Sequence, residues 1–327
     1  MLAKTVSATI LGVKAELIQV EVDLARGLPK FDIVGLPDKA VRESRKRVRS
    51  AIKNSGFEFP LNRITINLAP GDIEKIGPHY DLSIAAGILA AEQTIISKNL
   101  GNYLIVGELS LGGEVRKIKG ILPMALKSLR NNLKGIILPR VNYSEISFIK
   151  NIRKIPVNNL KEVIEFFNNN ISPSINTGKN ISPDQNYEID FAEIKGQEEG
   201  KRALEVAAAG SHNVLMVGPP GSGKTMLAQR LRTILPPLSE EESLELTKIH
   251  SVLGLNNNGL IKKRPFRTPH HNITSAGLIG GGRIPEPGEV SMAHYGTLFL
   301  DEIPEYKREV LEMLRQPLEE GKVTIVR

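Results

Sequence analysis

The sequence predicts an α/β protein in two parts, on three observations. Its first half alternates period-two strand patterns with amphipathic helical ones. The second half sets a glycine-rich loop between an apolar run, Val214 to Val217, and the helix-forming stretch Lys224 to Arg232. Further on, the unbroken apolar run Thr297 to Leu300 ends in two carboxylates, as expected of a parallel strand buried on both faces.

In the first half, Val20-Glu21-Val22-Asp23-Leu24 and Ile64-Thr65-Ile66-Asn67-Leu68 read as half-buried strands. Residues 38 to 55 read as a helix, with Asp38 at the start, Gly56 just past the end, and Val41, Val48 and Ile52 on one side. A hairpin over Tyr103 to Ile118 turning at Gly112-Gly113, a helix over Gly120 to Asn131 and a buried strand over Gly135 to Leu138 follow. Residues 168 to 188 are rich in Asn, Ser and Pro without apolar periodicity, which predicts a linker between a domain at 1–167 and one at 189–327.

Residues 218 to 225 read Gly-Pro-Pro-Gly-Ser-Gly-Lys-Thr and satisfy G-x-x-x-x-G-K-[ST]. Gly218, Gly221 and Gly223 allow backbone N–H groups to close on phosphate oxygens, with Pro219, Pro220 and Ser222 completing the loop. Lys224 supplies a charge to the β- and γ-phosphates, and Thr225 offers its hydroxyl to Mg²⁺. The helix opening there adds free N–H groups and a partial positive charge. Asp301 and Glu302 stand at the carboxyl end of their strand, the edge where such sheets bind ligands. Asp301 is the candidate Mg²⁺ holder and Glu302 the candidate general base toward water. Together they predict ATP hydrolysis.

The absence of cysteine excludes a disulfide framework and a thiolate metal site. No signal-peptide core or membrane-length apolar run is present, so the expectation is a cytoplasmic protein with no membrane partner. Residues 1 to 170 hold 25 Lys and Arg against 16 Asp and Glu, a net +9, whereas residues 171 to 327 hold 18 against 20. Much of that excess lies along the helix at 38 to 55, where Lys39, Arg42, Arg45, Lys46, Arg47, Arg49 and Lys53 form a basic side. Arg42, Arg45, Lys46 and Arg49 are therefore candidate DNA contacts, of the sequence-independent and salt-sensitive kind. A solvated surface is the competing reading.

Gly77-Pro78-His79-Tyr80-Asp81, Gly107-Glu108-Leu109-Ser110-Leu111, Lys119-Gly120-Ile121-Leu122 and Ile136 to Asn142 resemble the Lon-protease-like domain. In that register His79 holds the place of the family's serine and Met124 that of its lysine, which implies a Lon-like scaffold without peptidase activity. The whole chain resembles the ComM/YifB-type, magnesium-chelatase-like AAA+ ATPases. Gly35 to Ser44, Arg264-Pro265-Phe266-Arg267-Thr268-Pro269-His270-His271 and Pro287-Gly288-Glu289-Val290-Ser291 carry that likeness most specifically.

The resemblance implies a P-loop domain with a parallel sheet, ATP and Mg²⁺ as cofactors, a hexameric ring, and action on DNA in recombination-linked branch migration. The alternative is a chelatase-type motor that remodels a protein partner; the Lon-like half counts against it, because chelatase motors resemble the second half alone. A third possibility is a chain that only binds nucleotide. The Gly- and Pro-rich stretch Gly280 to Gly288 reads as a loop, and its Arg283 becomes a candidate contact for a threaded polyanion. His270-His271 reads as structural, because no completing ligand spacing accompanies it. The sequence ends at Arg327, shortly after the helical stretch Lys307 to Leu318, whereas related motors continue with a sensor strand, an arginine finger and a helical lid. The expectation is a truncated motor that binds nucleotide weakly and hydrolyses it poorly or not at all.

Overall fold

A long hairpin begins the chain: β1 (Leu2–Leu11) and β2 (Lys14–Ala25) pair antiparallel from Leu2 opposite Asp23 to Leu11 opposite Lys14. Gly12 turns the hairpin at φ 60°, a conformation that glycine enters without a Cβ penalty. The computed structural model describes residues 1–95, 99–169, 171, 173, 187–256, 258–282 and 285–323. Most of the expected linker lies outside them. The chain divides into two units, one of residues 1–179 with 254–259 and the other of residues 180–253 with 260–327.

In the first unit the hairpin is continued by β3 (Lys30–Val34), α1 (Lys39–Asn54), β4 (Arg63–Ala69), α2 (Asp81–Ala91) and β5 (Tyr103–Ile105). A small ladder follows, β6 (Glu108–Leu109) with β7 (Val115–Arg116), and then α3 (Ile121–Arg130), β8 (Gly135–Pro139), α4 (Tyr143–Ile146), β9 (Arg153–Val157) and α5 (Leu160–Asn169). Seven strands form one sheet in the order β3-β4-β2-β1-β5-β8-β9. It is mixed and mostly parallel: β3–β4, β1–β5, β5–β8 and β8–β9 run parallel, while β2 is antiparallel to both neighbours.

Sequence patterning explains these placements. Ile64, Ile66 and Leu68 on β4 are buried and alternate with half-exposed residues, so one face meets the core. β8 is buried along its whole length, which accounts for its continuous apolar run. α1 is capped by Asp38, whose carboxylate accepts from Val41 N at 2.7 Å, and it buries Val41, Val48 and Ile52. α2 is apolar all round and almost wholly buried, so closely set that a Cβ on Gly87 would lie 2.7 Å from the Val22 side chain. The expected hairpin over 103 to 118 is shorter than its pattern: β5 joins the large sheet, and only β6 and β7 pair across the Gly112-Gly113 turn.

The second unit holds α6 (Glu198–Gly210), α7 (Lys224–Ile234), α8 (Glu240–Leu253), β10 (Phe266–Arg267), α9 (Ser275–Ile279), β11 (Gly280–Gly281) and β12 (Glu286–Pro287). They are followed by α10 (Glu289–Met292), β13 (Thr297–Leu298), α11 (Arg308–Glu312) and α12 (Arg315–Glu320). Five expectations are corrected here. Val214 to Val217 is not a strand: Leu215 is 75% and Val217 90% exposed, and no described strand pairs with them. Only Thr297 and Leu298 of the run Thr297 to Leu300 are in a strand, and the run is half-exposed rather than buried. The parallel sheet expected in this half is, among the described residues, the two-residue pairing of β10 with β13.

Lys307 to Leu318 is two short helices rather than one. Pro317 explains the break, since its ring opposes a helical carbonyl four residues earlier at Met313, where α11 has already ended. Finally, the glycine-rich stretch forms a small antiparallel ladder, Gly280 opposite Pro287 and Gly281 opposite Glu286. Gly288 permits it, for a Cβ there would meet Gly280 N at 2.4 Å.

Candidate functional site

The loop Gly218–Thr225 leads directly into α7, and Gly221 and Gly223 take φ of 78° and 84° as the phosphate-cradling reading requires of them. Gly223 is the residue before the helix, so the free N–H groups of α7's first turn open toward the loop. Lys224 Nζ donates to the carbonyls of Gly218 at 2.9 Å and Pro219 at 3.0 Å, which places its ammonium over the loop. Two further contacts position the segment. Leu227 packs with Phe191, Ile194 and Leu204, fixing α7 against α6. Gln197, just before α6, donates from Nε2 to Ser222 O at 3.1 Å. No sequence motif marks Gln197; the structure holds it at a left-handed φ of 57° beside Gly196.

The fold brings the two motifs together. Thr225 Oγ1 donates to Asp301 Oδ2 at 3.4 Å across 76 residues of sequence, and both side chains are exposed. A hydroxyl and a carboxylate in that arrangement are hard oxygen donors of the kind that Mg²⁺ takes. Asp301 Oδ1 accepts from Glu302 N at 3.1 Å, and Glu302 sits at φ 52°, a region costly for a residue with a Cβ and concentrated at functional sites. Its carboxylate lies 3.8 Å from His271 Nδ1. His270 and His271 stack at 4.1 Å, and among the described residues no group of three or more metal-binding side chains occurs.

The stretch Arg264 to His271 is held by its own bonds. Arg267 forms a two-pronged pair with Glu289 at 2.6 and 2.7 Å, which joins the two sequence stretches most specific to the second half. Arg264 donates to Pro236 O and Tyr295 O, and Tyr306 donates to Pro269 O at 2.6 Å. These bonds fix β10 beside β13 and so set where Asp301 and Glu302 emerge.

In the first unit the basic side of α1 is only partly available. Arg47 is taken up by Asp81: Nε donates to Oδ2 at 2.6 Å and Nη2 to Oδ1 at 3.1 Å, while Ser44 Oγ and Leu109 N also donate to that carboxylate. Arg49 lies over the Phe59 ring at 5.6 Å. Arg42 donates to Pro37 O and Arg45 to Phe31 O, and Lys46 is exposed. Arg283 falls outside the described residues.

His79 is buried, with Nε2 on Ala8 O at 2.7 Å, and burial pulls its pKa down to about 4. Met124 is fully buried. Between pH 6.5 and 4 the unfolded chain binds a proton that folded His79 does not. Stability therefore falls as pH drops through that window, by about 3 kcal/mol at its lower end. Urea titrations at pH 7 and pH 4.5 should show that loss, reduced in a His79→Gln variant.

Comparison with known proteins follows the same division. A family model described as magnesium chelatase, subunit ChlI, matches residues 190–327, and one described as subunit ChlI of Mg-chelatase matches residues 20–142. The chelatase likeness is thus not confined to the second half, so the Lon-like half does not count against a chelatase-type motor. An uncharacterized protein YifB of Salmonella typhimurium is 44% identical over 97% of this chain and 62% of its own length. The competence protein ComM of Haemophilus influenzae is 42% identical over 100% of this chain and 65% of its own length. A Lon protease of Karelsulcia muelleri is 30% identical over 44% of this chain and 17% of its own length. The chain spans less than two thirds of the YifB and ComM relatives. No helix among the described residues is long and apolar enough to cross a membrane. With matches running through both halves, the chain belongs to the ComM/YifB-type, magnesium-chelatase-like family.

Proposed function

We propose that this protein is an ATP-driven AAA+ motor that assembles into a ring, most simply a hexamer, and acts on DNA. The observation that carries the nucleotide part is the approach of Thr225 to Asp301 at 3.4 Å beside the loop that opens α7. In the reaction the γ-phosphoryl group of ATP passes to water, and bound Mg²⁺ would neutralise the charge that develops. The residues do the rest. Gly218 to Gly223 and the first turn of α7 orient the phosphates through backbone N–H groups, and Lys224 turns its ammonium from the loop carbonyls to the phosphate oxygens. Thr225 and Asp301 would hold Mg²⁺, and Glu302 is placed to take the proton of the attacking water.

The net +9 over residues 1 to 170 supports DNA as the substrate, and the family resemblance implies recombination-linked branch migration as the reaction class. We read the first unit as a scaffold without peptidase chemistry: Met124 has no proton to exchange, and His79 spends Nε2 on Ala8 O. A second reading, a chelatase-type motor working on a protein partner, is favoured by the chelatase description of both family matches. Fluorescence anisotropy with linear and branched duplexes over a salt series separates the two. The DNA reading predicts binding that weakens linearly in log–log form as salt rises. Absence of binding at the lowest salt would leave the chelatase reading.

A further inference from the structure

Three arginines from two elements of the first unit converge on one hollow at the free edge of its sheet. β3 is the edge strand, packed on one face through Phe31 and Ile33. On its partner β4, Arg63 and Thr65 alternate with buried Ile64 and Ile66 and so stand on the opposite face, paired across from Lys30 and Asp32. Arg42 and Arg45 reach the edge from α1. The resulting hollow is about 370 Å³, lined by Arg42, Arg45, Arg63, Thr65 and Asp32, with Ile33 and Val34 closing it. That volume lies within the roughly 300–1,000 Å³ range of small-ligand sites.

Two of the three charges are steered, and none of the three is cancelled by an ion pair among the described residues. Arg42 Nε donates to Pro37 O at 3.2 Å; Arg45 Nε donates to Arg42 O and Nη1 to Phe31 O, each at 3.3 Å. These acceptors are neutral carbonyls, so each guanidinium is steered while its charge and remaining N–H groups stay available. None of the three arginines forms a salt bridge among the described residues. Asp32, the acidic group in the lining, is already paired with Lys30 at 2.8 Å. Like charges gathered without a counter-ion repel one another, a cost that a bound anion relieves. The bond to Phe31 O also occupies an edge-strand carbonyl, which disfavours pairing of a further strand here.

We propose that this hollow binds a phosphodiester group of a nucleic-acid backbone, with Arg63 and Thr65 completing a site of which Arg42 and Arg45 form the other wall. This rests on the DNA reading above and gives it a location. The hollow opens at a sheet edge, where a continuous strand can pass, and no aromatic ring lines it for base stacking. Recognition there is of the backbone and independent of sequence.

The test is anisotropy with a mixed-sequence duplex over 20–200 mM salt, using the full chain, Arg63→Gln, Arg63→Lys, and Lys150→Gln as an exposed control of equal charge change, with thermal melts to establish folding. The expected result is a loss of about tenfold for Arg63→Gln, a salt slope smaller by about 0.9, recovery in Arg63→Lys, and a change under twofold in Lys150→Gln. Equal losses in Arg63→Gln and Lys150→Gln would overturn the hollow while leaving DNA binding intact. If the wild-type chain ignores DNA even at 20 mM salt, the DNA reading itself fails and this site with it. Shifts of the Thr65 amide with inorganic phosphate in such a chain would assign the hollow to a small phosphate instead.

Discussion

Replacing Arg47 with methionine is expected to destabilise the first unit by about 3–5 kcal/mol, a large part of a typical 5–15 kcal/mol total. Asp81 is wholly buried, and its carboxylate accepts from Arg47, Ser44 and Leu109 N. Burial pushes the Asp81 pKa up, against the pull of Arg47 and the other donors. Without Arg47 a buried carboxylate loses its counter-charge and two donors. The loss should be larger at pH 8 than at pH 5. A carboxyl whose folded pKa is raised is bound to a proton more readily in the folded chain, so stability is lost as pH rises above the unfolded value. Exposed Lys46, on the same helix, should tolerate methionine within about 0.5 kcal/mol. The double variant Arg47→Met, Asp81→Leu should recover most of the deficit, because removing both partners leaves no unpaired charge. Urea unfolding of all four chains checks this; an Arg47→Met variant as stable as the parent would show the pair to be dispensable.

Glu302→Gln is expected to lower whatever ATP turnover the chain supports by about two to four orders of magnitude while leaving Mg²⁺-ATP affinity within about threefold. The amide keeps the shape and loses the basic oxygen. Asp301→Asn should act differently, raising the Mg²⁺ concentration needed for binding, since the oxygen facing Thr225 loses its charge. Turnover that survives Glu302→Gln within threefold would remove Glu302 from the role of base and turn attention to His271, 3.8 Å away.

Much of the first unit was legible because its patterns are long. α1, α3, β2, β4 and β8 fall where caps and periodicity put them, the Asp38 cap and the helix end before Gly56 included. The Arg47–Asp81 pair was hidden, because on a helical projection Arg47 looks like one more member of a basic face, and its partner is 34 residues away. In the second unit short apolar runs misled. Val214 to Val217 and Thr297 to Leu300 satisfy a strand pattern, yet a strand exists only where a ladder partner lies beside it, and pattern carries no information about the partner. Pro317 was the unread signal that divides Lys307 to Leu318 into two helices. The loop and carboxylates of the candidate nucleotide site are marked in the sequence by motif. Gln197 on Ser222 and the Arg267–Glu289 pair are not, since no motif names the contacts that hold a loop or a strand in place.

Mg²⁺-ATP titrated calorimetrically into the 327-residue chain and its Lys224→Ala variant tests the central claim most directly. The account predicts one nucleotide per chain, affinity that vanishes when EDTA removes the metal ion, and a loss of at least about tenfold in the variant as its charge-assisted bonds to phosphate disappear. Equal affinity in both chains, or binding indifferent to Mg²⁺, would mean that Lys224, Thr225 and Asp301 do not form the nucleotide site.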